Sequence, residues 1–181
     1  MKAVVLAGGF GTRLRPMTYG CPKPMLPVQG KPFIEHLMNF LKDQGITEVI
    51  LCLHYMANRF IEYFGDGSKF GLRIRYSVEE APLGTAGAIR KIGDFLDDTF
   101  FVLNGDTYLN LDLQEMSYFH RSHKALGTIA LSKMKEPARY GVVSVAWDWR
   151  ITGFCEKART QKGYINAGGY IFEHEILDCI P

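Results

Sequence analysis

The chain has 181 residues, 47% hydrophobic and 22% charged, the range of one globular domain with a sizeable core. Its formal net charge is +2 with acidic and basic residues interspersed, which excludes a field able to hold a nucleic-acid backbone and leaves any phosphate binding to local groups. After Met1-Lys2 the apolar run lasts only from Ala3 to Ala7, too short for a signal peptide or a membrane span, so a cytoplasmic protein with no membrane partner is expected.

Residues 2 to 6 read as a fully buried parallel strand ending at Gly8-Gly9. After a polar, proline-rich stretch, residues 32 to 44 place Phe33, Ile34, Leu37, Phe40 and Leu41 at helical spacing, with Pro32 suited to the first turn and Gly45 to the stop. Val49 to Leu53 predicts a second buried strand, residues 56 to 64 an amphipathic helix, 72 to 76 a strand, 84 to 92 a helix and 99 to 103 a strand ending at Asn104-Gly105-Asp106. This alternation implies a parallel sheet covered on both faces. Asp112 is a good N-cap for a helix to His123, and beyond it residues 127–132, 141–146, 150–155 and 164–172 are strand-like. With no repeat or linker-like stretch, a single domain over 1–181 is expected, its halves (about 1–110 and 111–181) facing each other across a cleft.

Cys21, Cys52, Cys155 and Cys179 form no C-x-x-C pair, so reduced, mostly buried thiols are expected rather than a zinc site or disulfides. His120 and His123 have H-x-x-H spacing on the expected helix, but with no Cys or third His beside them a solvated helix face is the reading.

The densest chemistry lies in Leu6-Ala7-Gly8-Gly9-Phe10-Gly11-Thr12-Arg13-Leu14-Arg15-Pro16, followed by Pro22-Lys23-Pro24. Glycines leaving a first strand let backbone N–H groups cradle phosphate oxygens, and Arg13 and Lys23 add positive charge to the same anion. By themselves the glycines fit a tight turn equally well. The Rossmann fingerprint lacks its third glycine, since Leu14 stands there, and the Walker pattern lacks its lysine. Asp106, after an apolar strand, falls where open α/β sheets bind ligands and can hold Mg²⁺, although an aspartate there also suits a turn. Gly84-Thr85-Ala86-Gly87 permits close approach of a base or ribose, or simply close helix packing. Glu156-Lys157 offers an acceptor for hydroxyls and a charge for phosphate, or an exposed ion pair; Asn166 suits a hydroxyl or a turn.

The pattern G-G-x-G-T-R-L-x-P followed by P-K-P resembles the signature of the sugar-1-phosphate nucleotidyltransferase family. Glu80 to Gly87, Asn104-Gly105-Asp106, Tyr140 to Val143, Phe154 to Lys157 and Asn166 to Tyr170 resemble further family motifs in the same order, over essentially the whole chain. The resemblance implies a Rossmann-like three-layer α/β/α sandwich with a mostly parallel mixed sheet and a more β-rich, sugar-binding second half. It also implies that a nucleoside triphosphate and a sugar 1-phosphate react to give a nucleotide sugar and pyrophosphate, with Mg²⁺ as cofactor. Arg13, Lys23 and Asp106 take the catalytic roles, Asp106 also as metal ligand. The nucleotide falls to Leu6, Ala7, Gly8, Gly9, Gly11 and Thr12 from the loop, and to Glu80, Pro82, Gly84, Thr85 and Gly105. The sugar phosphate falls to Gly141, Glu156, Lys157 and Asn166. The motifs look most like guanylyltransferases for mannose or heptose 1-phosphates; dTTP, UTP, CTP or ATP with another sugar, or a silent regulatory homologue, are the alternatives. Family members usually continue past the equivalent of Pro181 and carry a second metal-binding aspartate there, so a truncated chain is expected, and a homo-oligomer is the expected assembly.

Overall fold

The computed structural model describes residues 1–135, 141–155 and 162–181. Strands β1 (Lys2–Leu6), β4 (Glu48–Leu53), β5 (Arg73–Val78) and β6 (Thr99–Asn104) lie parallel in the order β5-β4-β1-β6. Between β1 and β4 the chain forms a two-residue-per-strand hairpin, β2 (Pro27–Val28) with β3 (Lys31–Pro32), and then helix α1 (Phe33–Asp43). Helix α2 (Ala57–Phe64) follows β4, α3 (Gly84–Lys91) follows β5 and α4 (Leu113–Ser122) follows β6. The remaining strands, β7 (Gly127–Lys135), β8 (Val142–Val145), β9 (Ile151–Cys155) and β10 (Lys162–Glu173), are antiparallel.

Alternation along β1 builds both cores. Ala3 and Val5 point to one face and Val4 to the other, all three without solvent exposure, as a strand covered on both sides requires. On the Ala3 face Ile34, Leu37 and Leu41 of α1, Phe60 and Phe64 of α2 and Leu113 of α4 pack over the sheet. On the Val4 face Ala88 and Ile89 of α3 join Ile50, Phe100 and Val102, with Ile176 and Leu177 of the C-terminal turn beside them. The result is the three-layer α/β/α sandwich with a mixed sheet.

The second half enters as a continuation of this sheet. The last residues of β10 pair with β6, its first residues pair with β8, and β7 runs along its other side. The two expected halves are joined edge to edge in one sheet. The register along β10 shifts between Asn166 and Tyr170, where Gly168 takes φ 82° and a side chain would collide with Asn104.

Asp112 caps α4 as expected, its Oδ1 accepting from the N–H of Gln114 and of Glu115 at 2.8 and 2.9 Å. The reading of His120 as part of a solvated face is corrected. Leu113, Met116, Ser117 and His120 form one buried stripe at i, i+3, i+4 and i+7, so His120 is turned to the sheet while His123 stays exposed past the helix end. His120 Nδ1 pairs with Thr128 Oγ1 at 2.8 Å and Nε2 with Glu173 Oε1 at 2.7 Å; Glu173 Oε2 accepts from Thr99 Oγ1 at 2.9 Å. One imidazole thereby ties α4 to β7 and β10. Replacing this buried ring leaves a cavity and takes a hydrogen-bond partner from the half-buried Thr128 and Glu173, so His120→Ala is expected to lower the unfolding free energy by about 1–3 kcal/mol in urea denaturation; an unchanged midpoint would show the network to be idle.

Candidate active site

Strands β1, β4 and β6 end side by side, and Ala7 N–H donates to Cys52 O at 2.9 Å while Gly105 N–H donates to Leu6 O at 2.8 Å. The loops leaving these ends enclose a cavity of about 770 Å³. This is the carboxyl edge of a parallel sheet, the usual place for a ligand in such folds.

Gly8, Gly9 and Gly11 carry the chain from β1 along the cavity into a single turn, Thr12–Leu14. Gly11 adopts φ 62°, and a side chain there would meet Thr18 and Lys23 at 3.0 Å. Gly9 has open space where a side chain would stand, which leaves its backbone approachable. Thr12 and Arg13 from the turn line the same cavity, joined by Lys23 from the short Lys23–Met25 turn. From the other side come Pro82, Gly84 and Thr85 at the start of α3, and Leu6, Ala7 and Cys52 close the floor.

Asp106 follows β6 directly and also lines the cavity; its Oδ2 lies 2.5 Å from Lys23 Nζ. Both side chains are partly exposed, at 39% and 34%. An exposed ion pair of this kind contributes only about 0–1 kcal/mol, so either partner is free to exchange for a ligand. The three charged groups singled out in the sequence, Arg13, Lys23 and Asp106, therefore share one cavity although 93 residues separate the first from the last.

A model of the nucleotidyl transferase family matches residues 2–180. The chain belongs to the nucleotidyl transferase family. The mannose-1-phosphate guanylyltransferase of Mycobacterium tuberculosis is 45% identical over 183 residues, covering 100% of this chain and 51% of that protein. The D-glycero-alpha-D-manno-heptose 1-phosphate guanylyltransferase of Aneurinibacillus thermoaerophilus is 42% identical over 180 residues, covering 99% of this chain and 77% of that protein. The crystal structure of HddC from Yersinia pseudotuberculosis complexed with GMP-PN superposes with a TM-score of 0.86 at 35% identity, covering 99% of this chain and 80% of that one. The chain thus spans about half the length of the first of these relatives.

Within this family frame, several expected site residues stand elsewhere. Glu80 is exposed and does not line the cavity, whereas its neighbour Glu79 is 7% exposed and does. Leu72 and Ile74 point inward, but the alternation lapses before the end of β5, where Val78 is exposed; Glu79, whose N–H donates to Leu53 O at 2.8 Å, is then the buried one. Glu79 Oε2 then accepts from Leu83 N–H at 2.9 Å. Gly105 lies behind the cavity, with Ala7 Cβ and Leu6 O each 3.0 Å from where a side chain would begin, so its smallness serves strand packing. Asn166 is exposed and bonded within its own turn, its Oδ1 accepting from Gly168 N–H and its Nδ2 donating to Tyr170 Oη, both at 2.9 Å. Gly141 is exposed and outside the cavity lining, while Glu156 and Lys157 lie outside the described residues. Phe10, Pro24, Asn104 and Thr107 also line the cavity, although no site role was expected of them; uncharged side chains there carry no charge signal.

The cysteines divide differently from expectation. All four are free, but only Cys52 is buried, while Cys155 and Cys179 are exposed and Cys21 is intermediate. Burial pushes the Cys52 thiol up to about 12, with the Glu79 charge adding and Lys91 opposing. Since the thiolate is the reactive form, iodoacetamide at pH 8 is expected to modify Cys155 and Cys179 in the folded chain and to leave Cys52 intact, read by peptide mass spectrometry. Modification of Cys52 at the same rate as the exposed pair would contradict its placement on the cavity floor.

Proposed function

We propose that this chain carries the nucleotide-binding and reaction centre of a sugar-1-phosphate guanylyltransferase, which joins GTP to a mannose- or heptose-type sugar 1-phosphate and releases pyrophosphate. The observation that carries the reading is the convergence of Arg13, Lys23 and Asp106 on a glycine-lined cavity at the carboxyl edge of the sheet. Its relatives named above are guanylyltransferases for mannose and heptose 1-phosphates, which supports the same pairing of substrates here.

Transfer of a phosphoryl-type group needs little covalent help from the protein; positioning and charge do most of the work. The backbone N–H groups of Gly8 to Thr12 face the triphosphate, and the Arg13 guanidinium neutralises charge that grows on the transferring and leaving oxygens as the sugar phosphate attacks in line. Lys23 exchanges its Asp106 partner for phosphate oxygens, and Asp106 is thereby released. A lone carboxylate fits Mg²⁺ in this setting, because that ion commonly takes one or two carboxylates together with substrate phosphates, and among the described residues no cluster of three or more acidic, His or Cys ligands competes for it. When bound, Mg²⁺ supplies charge neutralisation to the phosphates. Gly141, Glu156, Lys157 and Asn166 remain the proposed sugar-phosphate group. Free thiols suit a reducing compartment, in keeping with a cytoplasmic enzyme, and a homo-oligomer is the proposed assembly.

Base choice follows from Glu79. An ionised carboxylate only accepts hydrogen bonds, and its two oxygens offer about four lone pairs, of which Leu83 N–H uses one. Guanine presents two adjacent donors, N1–H and N2–H₂, on its pairing edge. Uracil and thymine present a single donor flanked by two carbonyl oxygens, which a carboxylate repels. Losing a bidentate pair costs about 1–3 kcal/mol, so Glu79→Gln is expected to lower kcat/KM for GTP by roughly 5- to 150-fold and to narrow the gap to UTP. An undiminished preference for GTP would remove Glu79 from base reading.

The direct test measures pyrophosphate release with Mg²⁺, mannose 1-phosphate or a heptose 1-phosphate, and each of GTP, dTTP, UTP, CTP and ATP. Release is expected with GTP, to require Asp106, and to fall by about 10²–10³ in Arg13→Ala. Release with a different triphosphate would refute the guanylyl assignment. GTP binding by calorimetry without release on any sugar 1-phosphate would instead favour a regulatory binding protein.

A further inference from the structure

The wall that carries the phosphate-facing glycines is fastened from behind by two hydroxyls that do not line the cavity. Gly11 O accepts from Leu14 N–H within its turn and also from Thr18 Oγ1, each at 3.0 Å. Thr18 is 2% exposed, so this bond is shielded from water, and its Cγ2 stands 3.0 Å from where a Gly11 side chain would begin. The backbone of Thr18 is fastened in turn. Tyr55 Oη lies 3.1 Å from Thr18 O and 3.0 Å from Tyr19 O, so its single O–H is shared between two carbonyls. The ring of Tyr55 packs against Phe10 at 5.6 Å, and His54 meets Phe10 edge-on at 5.3 Å. His54 Nδ1 pairs with Glu79 O at 2.8 Å.

The corner after β4, His54-Tyr55, therefore grips both ends of the loop that carries Arg13, and through Glu79 O it also touches the base side of the cavity. We infer that Thr18 and Tyr55 are positioning residues that hold the 10–19 loop in its phosphate-binding form before the nucleotide arrives. Neither touches the ligand. The inference rests on the transferase reading for its ligand, but the loop-holding itself is independent of it. A loop that is competent only part of the time weakens apparent affinity by the competent fraction, and saturating ligand restores it. Removing either hydroxyl raises KM for GTP and the dissociation constant, while kcat at saturation stays near that of the wild type.

The test uses Thr18→Val and Tyr55→Phe, each nearly isosteric, with Thr18→Ser as the rescue. Hydrogen exchange of the peptide spanning residues 8–19 is expected to quicken in Thr18→Val and Tyr55→Phe and to return to the wild-type rate in Thr18→Ser. By calorimetry the dissociation constants of Mg²⁺·GTP and of inorganic triphosphate are expected to rise about three- to tenfold, the scale of one hydrogen bond, while that of guanosine is unchanged. Equal weakening of guanosine would indicate general destabilisation and overturn the inference, as would unchanged exchange or unchanged GTP affinity in both variants. A wild-type chain that binds neither GTP nor triphosphate would refute the transferase reading instead; quickened exchange would then still support the clasp.

Discussion

The site depends on how β1 ends. Its last residues are held between two parallel neighbours by Ala7 N–H to Cys52 O and Gly105 N–H to Leu6 O, and there is no room for a side chain at Gly105. Because all three strands run the same way, everything that leaves them leaves at one edge. The glycine loop, the His54-Tyr55 corner and Asp106 are consequences of that shared end. A parallel sheet buried on both faces gives this edge a rigidity that loops alone lack, and a reaction that relies on positioning needs such a base.

Much of this was legible from residue patterns because the informative residues obey strong local rules. The 3.6-residue spacing of Ile34, Leu37 and Leu41, the continuous apolar runs of β1, β4 and β6, and the Asp112 cap each have one good structural solution, and the chain adopts it. Arg13, Lys23 and Asp106 were legible through the order of the motifs that contain them, since a glycine turn or a strand-end aspartate alone is common. What failed to show were features set by tertiary geometry. Glu79 and Glu80 are chemically identical, and only the bend after β5 decides which faces in. His120 is polar by type, yet the helix stripe that contains Leu113 and Met116 carries it inward, where Thr128 and Glu173 satisfy it. The same holds for Cys155, apolar by habit but placed on the exposed β9.

The cavity is electrically polar. Arg13 and Lys23 put positive charge at the glycine loop, and Glu79 puts negative charge by the start of α3. A nucleotide has the complementary polarity, with an anionic tail and a base whose edge can donate. Entry in the wrong sense would place phosphates against a buried carboxylate that Leu83 N–H holds in place, a repulsion made larger by exclusion of water. Orientation thus comes from two opposite charges fixed on different elements.

That arrangement also explains why the phosphate end carries a removable pair while the base end carries a fixed acid. Lys23 and Asp106 are both partly exposed, so their pairing contributes little and can be exchanged at low cost for the phosphates of the proposed reaction. Among the described residues Glu79 forms no ion pair; its Oε2 accepts from Leu83 N–H, and its charge adds to the burial that pushes the nearby Cys52 thiol upward. In the proposed transferase reaction the exchangeable end suits ligands whose charge changes, from triphosphate to pyrophosphate and nucleotide sugar. The fixed end suits the base, which enters and leaves unaltered.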